Sequence, residues 1–107
     1  MTKKNFGFSR KRLDELIEEA TVDCYSEEEA HTGLLTMIED NVVCPFRAKV
    51  IGEEIEVLAL EWPPSGYGLM AVCERKGQPH RVDITSLEWV KPYPEGFEWI
   101  VAYLNWR

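Results

Sequence analysis

A chain of 107 residues with 45% hydrophobic side chains has the length and apolar content of one globular domain. This composition excludes wholesale disorder, and no apolar run approaches the roughly 20 residues that span a bilayer, so no membrane partner is expected. The net charge of −7 argues against a nucleic-acid partner, because phosphates would be repelled. Three cysteines without a CxxC pair, and a start that lacks a signal-like apolar segment, predict reduced thiols and a cytoplasmic location.

The acidic surplus is concentrated in one part of the chain. Residues 14–61 hold 14 acidic side chains and two basic ones, a net charge of −12, whereas residues 1–12 sum to +5 and residues 62–107 to zero. Such a window attracts cations, and divalent ions most strongly, because they feel twice the potential of monovalent ions. The alternative is an acidic, solvated face that keeps the protein soluble.

Two helices are predicted before residue 42. Ser9 suits the N-cap of the first, whose basic start and acidic end oppose the helix macrodipole. Its apolar stripe consists of Leu13, Leu16, Ile17 and Ala20. Ser26 and Glu29 form a capping box for the second helix, which is expected to end near Asn41. Gly33 inside that helix suggests close packing against a neighbour.

The remaining sequence has the two-residue period of strands and then returns to a helix. Strands are predicted at residues 46–51, 55–61, 67–74, 80–84 and 88–91, with turns at 52–53 and 75–78, a short 3-10 segment at 85–87 and a helix at 97–106. The predicted fold class is α+β: two N-terminal helices, a small bent antiparallel sheet of five strands resembling an SH3-like barrel, and a short C-terminal helix. Residues 1–8 are predicted to be a flexible basic leader, and residues 9–107 a single domain.

The strongest candidate for chemistry lies at the end of the second helix. Glu39, Asp40 and Asn41 place two carboxylates and an amide beside the negative end of the macrodipole and the unpaired terminal carbonyls. These oxygen atoms are the ligands that calcium takes. Asn41 as an ordinary helix cap is the alternative.

Two other acidic groups are weaker candidates for metal binding. One comprises Asp23 with Glu27 and Glu28, and the other lies at residues 53–56. The acidic run at 27–29 also suits an ordinary helix start. No EF-hand pattern is present in the sequence, so a calcium site would be assembled from a helix end or from separate segments, with water completing the shell.

Catalytic groups are not evident in the sequence. Neither His31 nor His80 stands in a Ser-His-Asp or Cys-His order that indicates a nucleophile, and the carboxylates are too numerous to single out a general acid and base. We therefore predict no catalytic residues, no organic cofactor and no enzyme activity.

Several stretches resemble a known family. They are residues 21–25, 33–41, 44–53, 68–74, 80–83 and 87–88, and most of the weight rests on the element M-x-E-D-N-x-x-x-P-F at residues 37–46. The chain resembles the cyanobacterial, CcbP-like calcium-binding protein family over roughly residues 12–106. The resemblance implies a small acidic cytosolic protein that binds Ca2+ without EF-hands. It also implies metal ligands near the end of the second helix, with Asp40 first and Glu39 next.

Two functions follow from these observations as hypotheses. The first is a calcium-binding or calcium-buffering protein with a non-EF-hand acidic site that regulates free intracellular calcium. The alternative is a protein–protein interaction module that presents an acidic helical face, Trp62 and Tyr67 to an unidentified protein partner.

Overall fold

The computed structural model describes residues 5–62 and 68–106, which divide into two compact units. Unit 1 comprises residues 1–42 and 96–107, and unit 2 comprises residues 43–95. Together the described residues contain three α-helices and one antiparallel sheet of five strands, which confirms the α+β class.

Unit 1 is built from helices α1 (Arg10–Ala20), α2 (Glu27–Asn41) and α3 (Phe97–Asn105). The two predicted N-caps are confirmed, because the Ser9 hydroxyl accepts from the Arg12 N–H and the Ser26 hydroxyl from the Glu29 N–H, each at 3.1 Å. The side chains with the least exposure come from all three helices and include Leu13, Leu16, Leu34, Ile38, Ile100 and Val101.

Gly33 confirms the close packing that the sequence suggested. A Cβ atom at this position would overlap the carbonyl oxygen of Ala20, the last residue of α1. The absence of a side chain on α2 therefore lets the end of α1 approach it. Near the other end of α1, Phe6 packs edge-to-face on Phe97 of α3, with ring centroids 5.2 Å apart.

Unit 2 contains strands β1 (Phe46–Val50), β2 (Glu53–Glu61), β3 (Met70–Arg75), β4 (Gln78–Asp83) and β5 (Glu88–Trp89), with a 3-10 turn at Ile84–Ser86. The strand order is β4-β3-β2-β1-β5, and every neighbouring pair is antiparallel. In the described residues β4 and β5 are the two edges of an open sheet, so closure into an SH3-like barrel stays a prediction.

Several strand limits differ from the sequence-based expectation. The first hairpin turns at Ile51-Gly52 rather than 52–53, whereas the second turn, predicted at 75–78, is confirmed, with Lys76-Gly77 as its central pair. Both central residues of each turn have positive φ, the pattern of the tight type I′ turn that fits twisted hairpins. The fifth strand ends at Trp89 instead of residue 91, just before Pro92, whose ring nitrogen has no hydrogen to donate to a ladder. The start of the third predicted strand, Tyr67, lies outside the described residues.

Candidate functional site

The end of α2 carries the three residues with the strongest expectation of metal binding. Glu39, Asp40 and Asn41 occupy its last turn, all three are exposed, and no basic residue shares that turn. The helix ends as predicted because Val42 adopts an extended conformation while its N–H still donates to the Ile38 carbonyl. The two carboxylates therefore lie at the negative end of the macrodipole without a compensating cation on the same turn.

The amide of Asn41 is held by its own helix. Its Nδ2 donates to the Met37 carbonyl oxygen at 2.8 Å, which leaves Oδ1 as the acceptor of that side chain. The Asn41 carbonyl lies close to Gly96, since a Cβ at Gly96 would overlap it, and Gly96 has a φ of +83°. A glycine before α3 is thus required by both space and backbone conformation.

The other predicted metal ligands lie at the opposite end of α2. Glu27 and Glu28 occupy its exposed first turn, and Asp23, with a φ of +62°, is exposed in the turn before it. Glu39 follows Glu27 by twelve positions on α2, an axial distance of about 18 Å at 1.5 Å per residue. Since calcium–oxygen bonds are about 2.3–2.6 Å long, the two groups cannot hold the same ion.

Glu29, the third residue of that acidic run, has a local structural role. Its Oε2 accepts from the Tyr25 N–H at 3.0 Å, while its own N–H donates to Ser26. The reciprocal capping predicted from the sequence is therefore present, although the N–H is supplied by the residue before the N-cap.

The acidic group at residues 53–56 is largely balanced by arginines. Glu53 pairs with Arg75 at 2.9 Å and Glu54 with Arg47 at 3.6 Å. Glu56 lies between Arg47 on β1 and Glu74 on β3 in the sheet register. This group is therefore a weaker cation site than its sequence suggests.

The described part of the chain contains no preformed metal cage. Within residues 5–62 and 68–106, no group of three or more His, Cys, Asp or Glu side chains is arranged to hold a metal ion. The donor set at the end of α2 is two carboxylates and an amide, which suits a hard, oxygen-binding cation whose shell is completed by water.

A cysteine and a histidine face each other across the β3–β4 ladder, where Cys73 is opposite His80. Cys73 is buried, and this burial raises the pKa of its thiol. Burial also raises the pKa of the Cys44 thiol. A nucleophilic cysteine needs the opposite shift, so this pair does not form an activated nucleophile. All three cysteines are free thiols.

Unit 2 contains a basic cavity that was not predicted from the sequence. It has a volume of about 420 Å³, and its lining includes Arg47, Lys49 and Lys91. One signal was available: the only two basic residues of the acidic window, Arg47 and Lys49, are two positions apart on one strand, and therefore share a face. Nothing local in the sequence brings Lys91 to them.

Comparisons with known proteins assign the chain to no family. No family model matches it, and neither a curated protein nor a solved structure shows significant similarity. The resemblance to the calcium-binding family consequently stays a prediction. None of the helices in the described residues is long and apolar enough to cross a membrane.

Proposed function

We propose that this protein binds and buffers calcium, with its principal site at the C-terminal end of α2. The observation that carries the proposal is the last turn of that helix, where the exposed Glu39, Asp40 and Asn41 have no basic neighbour on the turn. A bound dication would neutralise carboxylates that the macrodipole otherwise disfavours. The resemblance at residues 37–46 supports the same site.

The donor set also sets the expected strength of binding. Two carboxylates and an amide on one exposed turn leave most of the coordination shell to water. We therefore expect a Kd of about 10⁻⁴–10⁻³ M, the range of weak calcium modules. Magnesium should bind less well, because it demands tighter octahedral geometry and gives up its water reluctantly. Such a site suits buffering at high calcium concentrations.

Isothermal titration of chelator-stripped protein with calcium, beside a magnesium titration, tests the proposal. Saturable, calcium-selective heat is expected, and at about 100 times Kd calcium should stabilise the fold by about 2.7 kcal/mol. If neither heat nor a change in melting temperature appears at about 10 mM calcium, a concentration well above the expected Kd, the proposal fails.

Two substitutions on the same helix locate the site. Asp40→Asn and Glu28→Gln each remove one exposed negative charge, at opposite ends of α2. We expect Asp40→Asn to weaken calcium binding at least tenfold and Glu28→Gln to leave it within about twofold, a difference of about 1 kcal/mol or more. The reverse pattern would move the site to the start of the helix, and equal effects would indicate diffuse attraction by net charge.

A second candidate function, a protein-interaction module, is favoured by exposed apolar side chains beside the start of α2. Tyr25 is 88% exposed and Val22 68% exposed, next to the acidic run at residues 27–29. Trp62, 43% exposed, belongs to the surface first suggested by the sequence, while Tyr67 lies outside the described residues. A partner that is retained in chelator and lost with Tyr25→Ser would favour this function. As part of this second candidate function, we also propose that the sheet closes into an SH3-like barrel.

A further inference from the structure

The cavity of about 420 Å³ in unit 2 has an unusual chemistry for so acidic a chain. Three of its lining side chains are cations, Arg47, Lys49 and Lys91, and Glu54 is the only acid among its lining residues. Its volume lies within the range typical of small-molecule sites. The cations are gathered because β1 pairs with β5, with Ala48 opposite Trp89, so the residues that follow β5 lie beside the basic face of β1.

The two carboxylates opposite Lys49 in the sheet are bonded to other groups and form no ion pair with it. In the sheet register Lys49 is opposite Glu54 on β2 and Glu88 on β5. Glu54 pairs instead with Arg47 at 3.6 Å, and Glu88 Oε2 accepts from the Gly52 N–H at 2.9 Å. Among the described residues neither Lys49 nor Lys91 has a carboxylate within ion-pairing distance. Two ammonium groups therefore line the cavity with hydrogen-bond donors available.

The rest of the wall is apolar. Phe46 lines the cavity and stacks on Trp89, with ring centroids 5.7 Å apart and planes inclined by 22°. Pro45, Val90 and Pro92 complete this side. The Phe46 ring lies on the buried face of β1, opposite Arg47 and Lys49, so the apolar surface open to a ligand comes from Pro45, Val90 and Pro92.

From this combination we infer that the cavity binds a small organic anion, an oxyanion such as a phosphate or carboxylate joined to a compact apolar group. Lys49 and Lys91 donate to the oxyanion, and Pro45, Val90 and Pro92 contact the apolar group. The acidic surplus of the chain does not prevent this binding, because acids farther than about 8 Å are largely screened at physiological salt. The two lysines act at direct contact, where screening is weak.

Titration followed by amide chemical shifts in NMR tests the inference in chelator-stripped protein without calcium. The probes are phenyl phosphate and phenylacetate, which separate the two oxyanions, with inorganic phosphate and benzyl alcohol as half-molecule controls. We expect saturable shifts at β1 and residues 90–92 from at least one aryl anion. Its Kd should be at least tenfold lower than that of inorganic phosphate, and benzyl alcohol should not saturate.

Three charge-matched variants distinguish the cavity from general attraction. Lys49→Gln and Lys91→Gln should each weaken binding of the aryl anion at least threefold. Lys76→Gln removes the same charge from the exposed β3–β4 turn, outside the cavity, and should leave the Kd unchanged. The absence of saturable shifts at about 10 mM probe, far above the micromolar-to-millimolar range of ordinary ligand binding, would overturn the inference. An equal loss with Lys76→Gln would overturn it as well. Amide spectra of each variant without probe establish that the fold is retained.

Discussion

Ile51 adopts a backbone conformation that its side chain disfavours. It is the first residue of the β1–β2 turn, with a φ of +50°, and it is 93% exposed. Positive φ is unusual for a β-branched residue, because its branched Cβ crowds the backbone. Asparagine followed by glycine is the preferred pair at such a turn, and Gly52 already supplies the glycine.

Replacement of Ile51 by Asn should therefore stabilise the protein. The left-handed conformation costs a non-glycine residue about 1–2 kcal/mol, and asparagine reduces this cost, while the exposed Ile51 side chain contributes little burial. We expect the free energy of unfolding to rise by about 1 kcal/mol, measured by urea denaturation with an unchanged slope.

Lys76 provides the matched control for that substitution. It is the first residue of the β3–β4 turn, has a φ of +52° and also precedes a glycine, but its side chain is unbranched at Cβ. Lys76→Asn should stabilise the protein by less than Ile51→Asn. If Ile51→Asn destabilises the fold, the exposed isoleucine has a contact that outweighs its backbone conformation.

At the level of elements, α2 has acidic residues at both ends, and the macrodipole distinguishes them. Glu28 lies in the first turn, where negative charge is favourable, and Asp40 in the last turn, where it is unfavourable. Reversing each charge should therefore have opposite effects. In calcium-free buffer we expect Asp40→Lys to raise the free energy of unfolding by about 0.5 kcal/mol and Glu28→Lys to lower it by a similar amount.

The two variants control for each other, because both change the net charge from −7 by the same amount. Urea denaturation at low salt measures the difference between them. Stabilisation by both would mean that relief of general repulsion exceeds the dipole effect. With calcium added, Asp40→Lys should show no further stabilisation, since the proposed ligand has become a cation.

The helices were predictable because their determinants are local. Ser9, Ser26 and the break after Asn41 mark helix ends within a few residues of sequence, and the 3.6-residue stripes mark the buried faces. The β3–β4 turn was placed correctly, whereas the β1–β2 turn was placed one residue too late because Ile51 has a positive φ, against the intrinsic preference of a β-branched residue. Local preference therefore gave way to the twist of the paired strands there.

The two candidate sites also differ in how far they could be predicted from local sequence. Glu39, Asp40 and Asn41 are consecutive, so predicting where α2 ends was sufficient to place all three on its last turn. The basic cavity depends instead on the pairing of β1 with β5, which joins residues about 40 positions apart, such as Ala48 and Trp89. Local periodicity carries no information on that pairing, so the presence of Lys49 and Lys91 in the lining of one cavity could not be anticipated.

At the scale of the whole molecule, two electrostatic effects act in opposite directions. The net charge of −7 destabilises the fold through repulsion, whereas exposed ion pairs stabilise it by small amounts. The six pairs among the described residues join exposed or partly exposed side chains at 2.8–3.8 Å, and exposed pairs typically contribute about 0.2–1 kcal/mol each. Their short separations lie well inside the Debye length of about 8 Å, so salt weakens them only moderately. Repulsion within the 14–61 window also acts over longer distances and is therefore screened more strongly.

Added sodium chloride should consequently stabilise this protein. Between about 20 and 500 mM salt we expect the melting temperature to rise by about 2–5 °C, because screening relieves more repulsion than attraction. Calcium chloride at matched ionic strength should raise it further, since a site-bound ion adds binding free energy to screening. Thermal melts monitored by circular dichroism make both comparisons.

A decrease in melting temperature on adding sodium chloride would show that the attraction within the ion pairs exceeds the repulsion. Equal increases with the two salts would mean that calcium acts only by screening. Loss of the calcium increment in Asp40→Asn would then assign that increment to the end of α2.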